Sequence, residues 1–493
     1  MEIKKMYING QWTQGSPGTT SDVVNPFNGD ILCRIWESSI EDTREAIKAA
    51  KNAFYTTREW RDMDVEARSR VLLKVAELIE ENQEEMAAME TQNMGKPLRE
   101  SLIDIADGAG TFRYYAGLIQ APQGGVCSVS KSSGEIHSIT VREPVGVCAQ
   151  ITPWNYPFTM AAWKLAPALA AGNTVVFKPS HKTPLTTIRL FELLEEAGLP
   201  KGTANLVLGG SVIGCELGES MDVDMLTFTG STKVGQSLQR LAAGNMKKLG
   251  FELGGKSPNV IFADADIDGA VEWAMMGIFY NQGEVCSSGS RIFVEDSVKD
   301  EFMEKFVKKT KALTLGDPMK DPDMGPLVTK EHMDRVLEYI KIGRDEGAKV
   351  VCGGERYTDG ECADGYFVLP TIFDQCSPDM RIVREEIFGP VATVQSFSSE
   401  KEAVAMANDT CYGLAGAVFT SDSAKAMRVI KEIRAGITWI NCYNLGYNQT
   451  PWGGYKMSGT GRELGIYGLE EYQEVKQIHM NLNPGPVGWY VNS

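Results

Sequence analysis

The stretch that decides the fold is residues 145–180, VGVCAQITPWNYPFTMAAWKLAPALAAGNTVVFKPS. Its pattern predicts a strand over Val145–Ile151, a helix over Phe158–Ala171 and a second strand over Thr174–Phe177. Strands that alternate with helices in this way are typical of a parallel sheet with helices on both faces. Such sheets bind ligands at the carboxyl ends of their strands, so functional residues are expected at that edge.

The same alternation continues on both sides of Gly254 and Gly255. The first series adds a predicted helix over Leu185–Ala197 and strands over Asn205–Leu208, Met225–Thr229 and Leu249–Leu253. The second series has predicted helices over 267–280 and 297–312 and strands over Asn259–Phe262, Arg291–Val294, Val350–Cys352, Val391–Phe397, Ala415–Thr420 and Ile437–Asn441. We therefore predict an α/β protein with two doubly wound parallel-sheet lobes.

The segments outside this alternation of strands and helices have different hydrophobic patterns. Near the start, after a short β segment, the periodicity predicts helices over Asp42–Phe54 and Val65–Met89. Residues 124–143 begin with Gly-Gly and then alternate polar and apolar side chains, which favours an extended arm.

Charge and composition narrow the possible functions. The chain carries 49 Lys and Arg against 65 Asp and Glu, a net charge of −16, which disfavours a nucleic-acid partner. The sequence has no run of 18 apolar residues, which disfavours a membrane protein, and Met1–Trp12 lacks the apolar core of a secretory signal. The 10 cysteines form no C-x-x-C pair and the 4 histidines are scattered, so we expect reduced thiols, a cytoplasmic location and no metal.

Glycine-containing turns and two reactive side chains are the candidates for chemistry. Gly230 and Ser231 open a predicted helix whose free N–H groups suit a pyrophosphate, although a plain turn explains the pattern as well. Gly459–Gly461 is interpreted as a loop. Small residues flank Cys286 as a nucleophile requires, with a structural cysteine as the alternative. Glu252 ends an apolar strand, where it either caps a turn or projects into the crevice.

Several motifs resemble those of the aldehyde dehydrogenase superfamily, in the family's order and over nearly the whole chain. They are Pro153–Pro157, Lys178–Ser180, Phe228–Ser231, Glu252–Lys256, Gly283–Cys286, Glu386–Pro390 and Pro451–Gly454. The resemblance implies a Rossmann-like cofactor lobe over residues 1–123 and 144–254 and a catalytic lobe over 255–455. It also implies an oligomerisation arm from 124–143 and 470–493, where a strand extends a neighbour's sheet in a homodimer or homotetramer.

The resemblance also implies roles for the catalytic residues. Cys286 would attack the aldehyde, and the Asn155 amide with the Cys286 N–H would stabilise the oxyanion. Hydride transfer to NAD(P) would leave a thioester, which water hydrolyses to a carboxylic acid with Glu252 as base. Glu463 resembles the family's proton-relay partner of that base, with a surface salt bridge as the alternative.

NAD is the expected cofactor, with NADP as the alternative. Lys178 would bind the adenosine ribose, Ser231 the pyrophosphate, and Glu386 with Phe388 the nicotinamide ribose. His181 stands where many NAD-preferring relatives carry glutamate, which leaves the choice between the two cofactors open. The other residues expected at the cofactor are Ile151, Trp154, Ser180, Gly209, Gly230 and Leu253.

Aromatic residues at the expected substrate mouth resemble those of betaine-aldehyde and aminoaldehyde dehydrogenases. Such rings attract a quaternary ammonium group by about 1–2 kcal/mol each, which favours oxidation of betaine aldehyde to glycine betaine. An aminoaldehyde or an uncharged aliphatic or aromatic aldehyde is the alternative substrate, and a non-catalytic structural protein is a remote one. The expected substrate-binding residues are Tyr156, Trp163, Tyr280, Ile437 and Trp452, beside an entrance loop over 443–448.

Overall fold

The computed structural model describes residues 2–16, 18–121, 124–129, 136–485 and 489. The strands are β1 (Ile3–Lys4), β2 (Met6–Ile8), β3 (Gln11–Thr13), β4 (Thr20–Val24), β5 (Ile31–Trp36), β6 (Gly125–Cys127), β7 (Ile136–Pro144), β8 (Val147–Ile151), β9 (Thr174–Lys178), β10 (Ala204–Leu206), β11 (Met225–Thr229), β12 (Lys248–Glu252), β13 (Pro258–Ile261), β14 (Arg291–Glu295), β15 (Lys349–Cys352), β16 (Thr371–Asp374), β17 (Val391–Phe397), β18 (Ala415–Phe419), β19 (Ile437–Ile440), β20 (Gly459–Thr460) and β21 (Gln473–Asn481). The helices are α1 (Ile40–Asn52), α2 (Val65–Glu81), α3 (Gln83–Met94), α4 (Leu98–Leu118), α5 (Pro157–Ala170), α6 (Leu185–Glu196), α7 (Ser211–Glu219), α8 (Thr232–Leu241), α9 (Ile267–Phe279), α10 (Lys299–Lys311), α11 (Lys330–Asp345), α12 (Arg381–Arg384), α13 (Glu400–Asn408), α14 (Ser423–Glu432) and α15 (Gly465–Glu471).

The first lobe is built on a sheet in the order β20-β12-β11-β8-β9-β10-β2-β3. Its central strands, β12 to β10, run parallel. The hairpin β2–β3 and the short β20 pair antiparallel at the two edges. Strands β8 to β11 are buried along their whole length, as expected of parallel strands covered by helices on both faces. The parallel sheet predicted around residues 145–180 is confirmed.

The second lobe is built on a sheet in the order β15-β16-β17-β14-β13-β18-β19. All of its pairs are parallel except the edge pair β15–β16. The chain passes from one sheet to the other between β12 and β13, where Gly254 and Gly255 lie. The predicted α/β fold with two doubly wound lobes is confirmed, and it places the carboxyl ends of both sets of strands at the crevice.

A separate antiparallel sheet, β21-β7-β6, forms the arm. Strands β7 and β21 pair along nine positions, from Gln473 opposite Pro144 to Asn481 opposite Ile136. Val126 on the outer strand β6 is 83% exposed. The end of the predicted arm, residues 486–488 and 490–493, lies outside the described residues.

The structure differs from the predicted elements at two places. The helix predicted over Val65–Met89 is two helices, α2 and α3, because the side chain of Asn82 donates to the Leu78 carbonyl at 2.8 Å and competes with the helical pattern. The predicted loop over Gly459–Gly461 contains β20, which returns the chain to the first sheet. In the part of the chain that the structure describes, no helix has the length and apolar composition needed to cross a membrane.

Candidate active site

A cavity of about 500 Å³ lies at the crevice between the lobes. The first lobe contributes side chains after the ends of β8, β11 and β12. The second lobe contributes the segment around Cys286, the segment 386–388 and the loop 444–448. Ligands of α/β proteins bind at this end of a parallel sheet, so the cavity is the candidate active site.

Cys286 reaches the cavity because the backbone turns sharply after α9. Asn281 and Gln282 adopt left-handed φ angles of 49° and 56°. Gly283 follows at φ 73°, where an added Cβ would lie 2.3 Å from the Gly389 carbonyl oxygen, so only glycine fits. Burial raises the pKa of the Cys286 thiol to about 12, with nearby Glu386 and Glu252 as further causes. Attack as a thiolate therefore requires a group or ligand that takes the thiol proton.

Asn155 is held beside the cysteine by hydrogen bonds on both sides. Its Nδ2 donates to the Glu284 carbonyl at 2.8 Å, and the Asn281 amide donates to the Asn155 carbonyl at 3.0 Å. The side chain is 4% exposed and lines the cavity. One N–H of the amide is thus engaged, and the other remains available for an oxyanion on a substrate bound at Cys286.

Glu252 ends β12 and projects into the cavity rather than capping a turn. It is 5% exposed, and its Oε2 has no hydrogen-bond partner among the described residues. Burial and the neighbouring Glu463 raise the pKa of this carboxyl well above its ordinary value. A carboxyl with a raised pKa is suited to accept a proton near neutral pH.

Glu463 forms an ion pair with Lys164, but the pair is not on the surface. The side chains of Lys164 and Glu463 are 1% and 13% exposed. The backbone of Glu463 also pairs with Trp452, with N–O distances of 2.7 and 2.8 Å. Glu463 therefore lies between Glu252 and a buried ammonium group.

The residues expected at the cofactor follow the ends of neighbouring strands. Ile151 ends β8, Lys178 ends β9 with Ser180 and His181 just after it, and Gly209 precedes α7. Gly230 follows β11, and Ser231 caps α8 by accepting a hydrogen bond from Val234 N at 3.4 Å. Two helix N-termini therefore point toward the same edge of the sheet, which is the arrangement that binds a pyrophosphate.

The segment 386–388 closes the crevice from the second lobe. The Glu386 carboxylate accepts a hydrogen bond from Gly255 N at 3.0 Å, and an added Cβ at Gly254 would lie 2.3 Å from it. Phe388 has an unusual φ of 67°, and its ring packs 5.2 Å from that of Trp154, edge to face. Leu253 and Trp154 line the same part of the cavity.

His332 and Arg335 of α11 hold the segment 386–388 in place. Neither residue belongs to the sequence motifs. The ring nitrogen Nε2 of His332 lies 2.6 Å from the Phe388 carbonyl oxygen, and Arg335 donates to the Glu386 carbonyl at 3.0 Å. Both residues line the cavity. The sequence carries no motif signal for them, because a helix that starts 44 residues beyond Cys286 meets the site only in the fold.

Comparison with known proteins agrees with this geometry. The aldehyde dehydrogenase family model matches residues 12–478. The chain belongs to the aldehyde dehydrogenase family. It is an oxidoreductase of this family, whose members use NAD or NADP.

Relatives of this aldehyde dehydrogenase match it over almost their whole length. Betaine aldehyde dehydrogenase of Bacillus subtilis strain 168 is 48% identical over 487 residues, which cover 98% of this chain and 99% of that protein. Human retinal dehydrogenase 2 is 44% identical over 489 residues, which cover 98% and 93%. A 1.85 Å crystal structure of Staphylococcus aureus betaine aldehyde dehydrogenase in complex with NAD+ has 44% identity and a TM-score of 0.96, covering 99% and 97%.

The mouth of this aldehyde dehydrogenase is aromatic. The rings of Trp163 and Trp452 lie 5.5 Å apart at 65°, and both side chains line the cavity. Tyr156 and Tyr280 also line it. Ile437 differs from the expectation: it lies in the core cluster of the second lobe on which Leu445 and Trp452 pack, and it is not among the residues that line the cavity. Any effect of its bulk would reach the substrate through those neighbours.

Carboxylates of α4 lie between these aromatic side chains. Asp107 accepts a hydrogen bond from the indole N–H of Trp163 at 3.0 Å. Asp104 forms a buried ion pair with Lys96, whose ammonium also lies 4.1 Å from the centre of the Tyr156 ring. Asp104 and Asp107 both line the cavity, one helical turn apart. Neither residue belongs to a sequence motif, although their spacing of three residues on a helix is the signal that places them on one face.

Proposed function

We propose that this enzyme oxidises an aldehyde carrying a quaternary ammonium group, betaine aldehyde first of all, to its carboxylic acid with NAD. One observation carries the proposal: aromatic rings and two carboxylates line the same cavity as Cys286, Asn155 and Glu252. Aromatic faces attract alkylammonium cations, and the Asp107 carboxylate, which unlike that of Asp104 is not paired with Lys96, adds a favourable charge. The similarity to betaine aldehyde dehydrogenases of two bacteria supports the same substrate.

The chain supplies the nucleophile, the oxyanion donors and the hydrolytic base of this reaction. Cys286 attacks the aldehyde carbon as a thiolate, and the second N–H of Asn155 with the Cys286 backbone N–H stabilises the oxyanion. NAD, when bound, would supply the hydride acceptor. Glu252 then takes a proton from the water that attacks the Cys286 thioester, and the thiolate leaves as the acid forms. Glu463 exchanges protons with Glu252.

The residues at the ends of β8 to β11 would hold the dinucleotide. Ser231 and Gly230, at the N-terminus of α8, would bind the pyrophosphate, with Gly209 and Ile151 beside it. Lys178 and Ser180 would bind the adenosine ribose. Glu386, Phe388, Trp154 and Leu253 would hold the nicotinamide ribose. Of these residues, Trp154, Gly230, Ser231, Leu253, Glu386 and Phe388 line the cavity. Ile151, Lys178, Ser180 and Gly209 are not among its lining residues, and their assignment is supported by their position at the carboxyl edge of the sheet.

The preference for NAD over NADP rests on charge at the adenosine end. Burial and the neighbouring Lys178 and Lys182 lower the pKa of His181, so the imidazole is neutral near pH 7 and a weak partner for a 2′-phosphate. The carboxylate of Glu37 lies close enough to affect both Lys178 and His181. A carboxylate repels a 2′-phosphate, which favours NAD.

A second candidate substrate is an uncharged aliphatic or aromatic aldehyde. The specific observation in its favour is the apolar part of the cavity lining, formed by Met160, Met276, Val285 and Leu445. Similarity to human retinal dehydrogenase 2 also favours an apolar aldehyde.

NAD(P)H formation by the purified protein decides between these candidates. Betaine aldehyde, an aminoaldehyde and hexanal would each be offered with NAD and with NADP, and a Cys286→Ala variant would serve as control. A higher kcat/KM for betaine aldehyde supports the first candidate. Equal or better use of hexanal overturns it in favour of the second. Activity that survives in the control contradicts the proposed mechanism.

We further propose the division into a cofactor lobe (1–123 and 144–254), a catalytic lobe (255–455) and an arm (124–143 and 470–493). The arm is supported as an oligomerisation element by its exposed strands, whose apolar side chains include Val126, Val475 and Met480. A homodimer or homotetramer in the cytoplasm is the expected state. Light scattering of wild-type protein against a Val475→Lys variant tests the interface.

A further inference from the structure

A second, much smaller cavity adjoins the active-site cavity at Glu252 and Glu463, which line both. Its volume is about 20 Å³. One water molecule needs roughly 10–15 Å³, so the small cavity has room for one. Thr227, Arg462, Glu471 and Tyr472 line it together with apolar side chains.

The polar atoms around the small cavity favour a water there. Glu252 Oε2 and Glu463 Oε2 are both buried, and neither has a hydrogen-bond donor among the residues that the structure describes. Buried carboxylate oxygens without a donor are costly, and an ordered water with two to four polar partners is the usual remedy. Together with the Thr227 hydroxyl and the Glu471 carboxylate, these oxygens give one water enough partners.

Glu471 lines the small cavity and is partly exposed. It is the last residue of α15, it is half-buried, and its Oε1 accepts a hydrogen bond from Arg462 N at 3.2 Å. Lys248 lies beside it, with its ammonium 3.4 and 3.3 Å from the carbonyl oxygens of Glu470 and Gln473. Glu463, by contrast, is bound to the buried ammonium of Lys164. Of the described carboxylates around the small cavity, Glu252 is buried and Glu463 is ion-paired with Lys164, so Glu471 is the partly exposed one without an ion pair to a buried ammonium.

We propose that Glu471 is a positioning residue for the base: through one water in the small cavity, it takes from Glu252 the proton released in thioester hydrolysis and passes it to solvent. This inference rests on the proposed function. When water attacks the thioester, a lone pair on its oxygen forms the C–O bond, the O–H pair stays on that oxygen as Glu252 receives the proton, and the C–S pair stays on Cys286. Glu252 then protonates the cavity water, which gives one of its own protons to Glu471.

The charges around Glu471 fit this transfer. Glu252, Glu463 and Glu470 face it with negative charge, Lys248 and Arg462 with positive charge, and Tyr472 lines the same cavity. Burial raises the pKa of Glu471, while Lys248 and Arg462 lower it. Burial raises the pKa of Glu252 as well, so both carboxyls are suited to hold a proton during the transfer.

A Glu471→Gln variant tests the proposal, with Glu470→Gln as the matched control. Glu470 precedes Glu471 on α15 but pairs with Arg142 of the arm at 2.7 Å and does not line the small cavity. In rapid mixing with NAD and betaine aldehyde, Glu471→Gln should keep the burst of NADH. Its steady-state kcat should fall about tenfold, less than the 100-fold or more expected for loss of a direct general base. Glu470→Gln should stay within twofold of wild type.

Buffer dependence separates proton transfer from a merely structural effect. In Glu471→Gln, kcat should rise with the concentration of a small base such as imidazole, whereas the wild-type kcat should not. A Glu471→Gln variant whose kcat and buffer response match those of Glu470→Gln overturns the proposal. If Glu471→Gln does not fold, Thr227→Val removes a partner of the water instead, and an unchanged kcat in that variant also overturns it. Wild-type protein that forms no NADH with any aldehyde would refute the proposed function, which is a different result.

Discussion

Replacing Asn155 with alanine should slow aldehyde oxidation by about 100- to 1,000-fold, because it removes a donor to the oxyanion. The amide is well placed for this role. Its Nδ2 gives one N–H to the Glu284 carbonyl at 2.8 Å, and the side chain is 4% exposed in the cavity wall. The bond to Glu284 fixes the amide plane, so the second N–H needs no reorganisation when charge develops on the substrate oxygen.

The expected loss lies in kcat rather than in binding or folding. The oxyanion forms only after Cys286 attacks, so KM should change by less than about threefold. The Glu284 carbonyl retains the Asn281 amide as a donor at 3.2 Å. The free energy of unfolding should therefore fall by no more than about 1–3 kcal/mol, the cost of one lost buried hydrogen bond.

Stopped-flow measurement of NADH formation checks this prediction, with urea denaturation as the test of folding. Alkylation of Cys286 by iodoacetamide would show that the thiol is still reachable in Asn155→Ala. An Asn155→Asp variant keeps the shape but places a carboxyl group against the oxyanion, so it should be at least as slow. A folded Asn155→Ala enzyme whose kcat is within fivefold of wild type would refute the assignment of the oxyanion site.

Further predictions concern the thiol, the mouth and the core. Without cofactor, alkylation of Cys286 by iodoacetamide should accelerate up to above pH 9, because its thiol has a pKa of about 12 and the thiolate fraction grows with pH; a plateau below pH 8 would contradict this. Glu386→Gln should speed that alkylation about threefold at pH 9, since it removes a negative charge that raises the thiol pKa. Trp163→Leu should raise KM for betaine aldehyde about 5- to 30-fold, the equivalent of 1–2 kcal/mol, with a smaller change for hexanal in steady-state assays. Lys96→Met should lower the free energy of unfolding in urea by about 3–5 kcal/mol, because the Asp104 carboxylate stays buried without its partner; a loss below about 1 kcal/mol would contradict this.

The residues that sequence could predict are those on short contiguous motifs at strand ends. Glu252 and Ser231 each follow an apolar strand, and the parallel topology brings strand ends to one edge. Cys286 was recognisable from its small neighbours and its family motif. At these positions, the local sequence pattern and the tertiary fold predict the same placement of the side chain.

The site residues that could not be predicted from the sequence lie on helices that carry no distinctive motif. Asp104 and Asp107 look like surface charges of α4, and only the packing of α4 against α5 turns them toward Trp163. His332 lies on α11, and its contact with the Phe388 carbonyl depends on the left-handed backbone at Phe388. The break at Asn82 was missed for another reason: a polar side chain that bonds its own helix leaves the apolar periodicity of the neighbouring turns unchanged.

The position of Glu252 depends on the glycine segment predicted to be a loop. The segment Gly459–Gly461, interpreted as a loop, is a strand that pairs with β12, with Gly459 opposite Glu252 itself. A Cβ at Gly459 would lie 2.0 Å from the Phe251 carbonyl oxygen, and one at Gly453 would lie 2.7 Å from Glu252 Oε1. Glycine at these positions lets the returning chain approach the end of β12 and bring Glu463 to the base. A single added methyl group at Gly453 should therefore displace the carboxylate and slow thioester hydrolysis, while Cys286 and Asn155, held by the other lobe and by β8, still form the thioester.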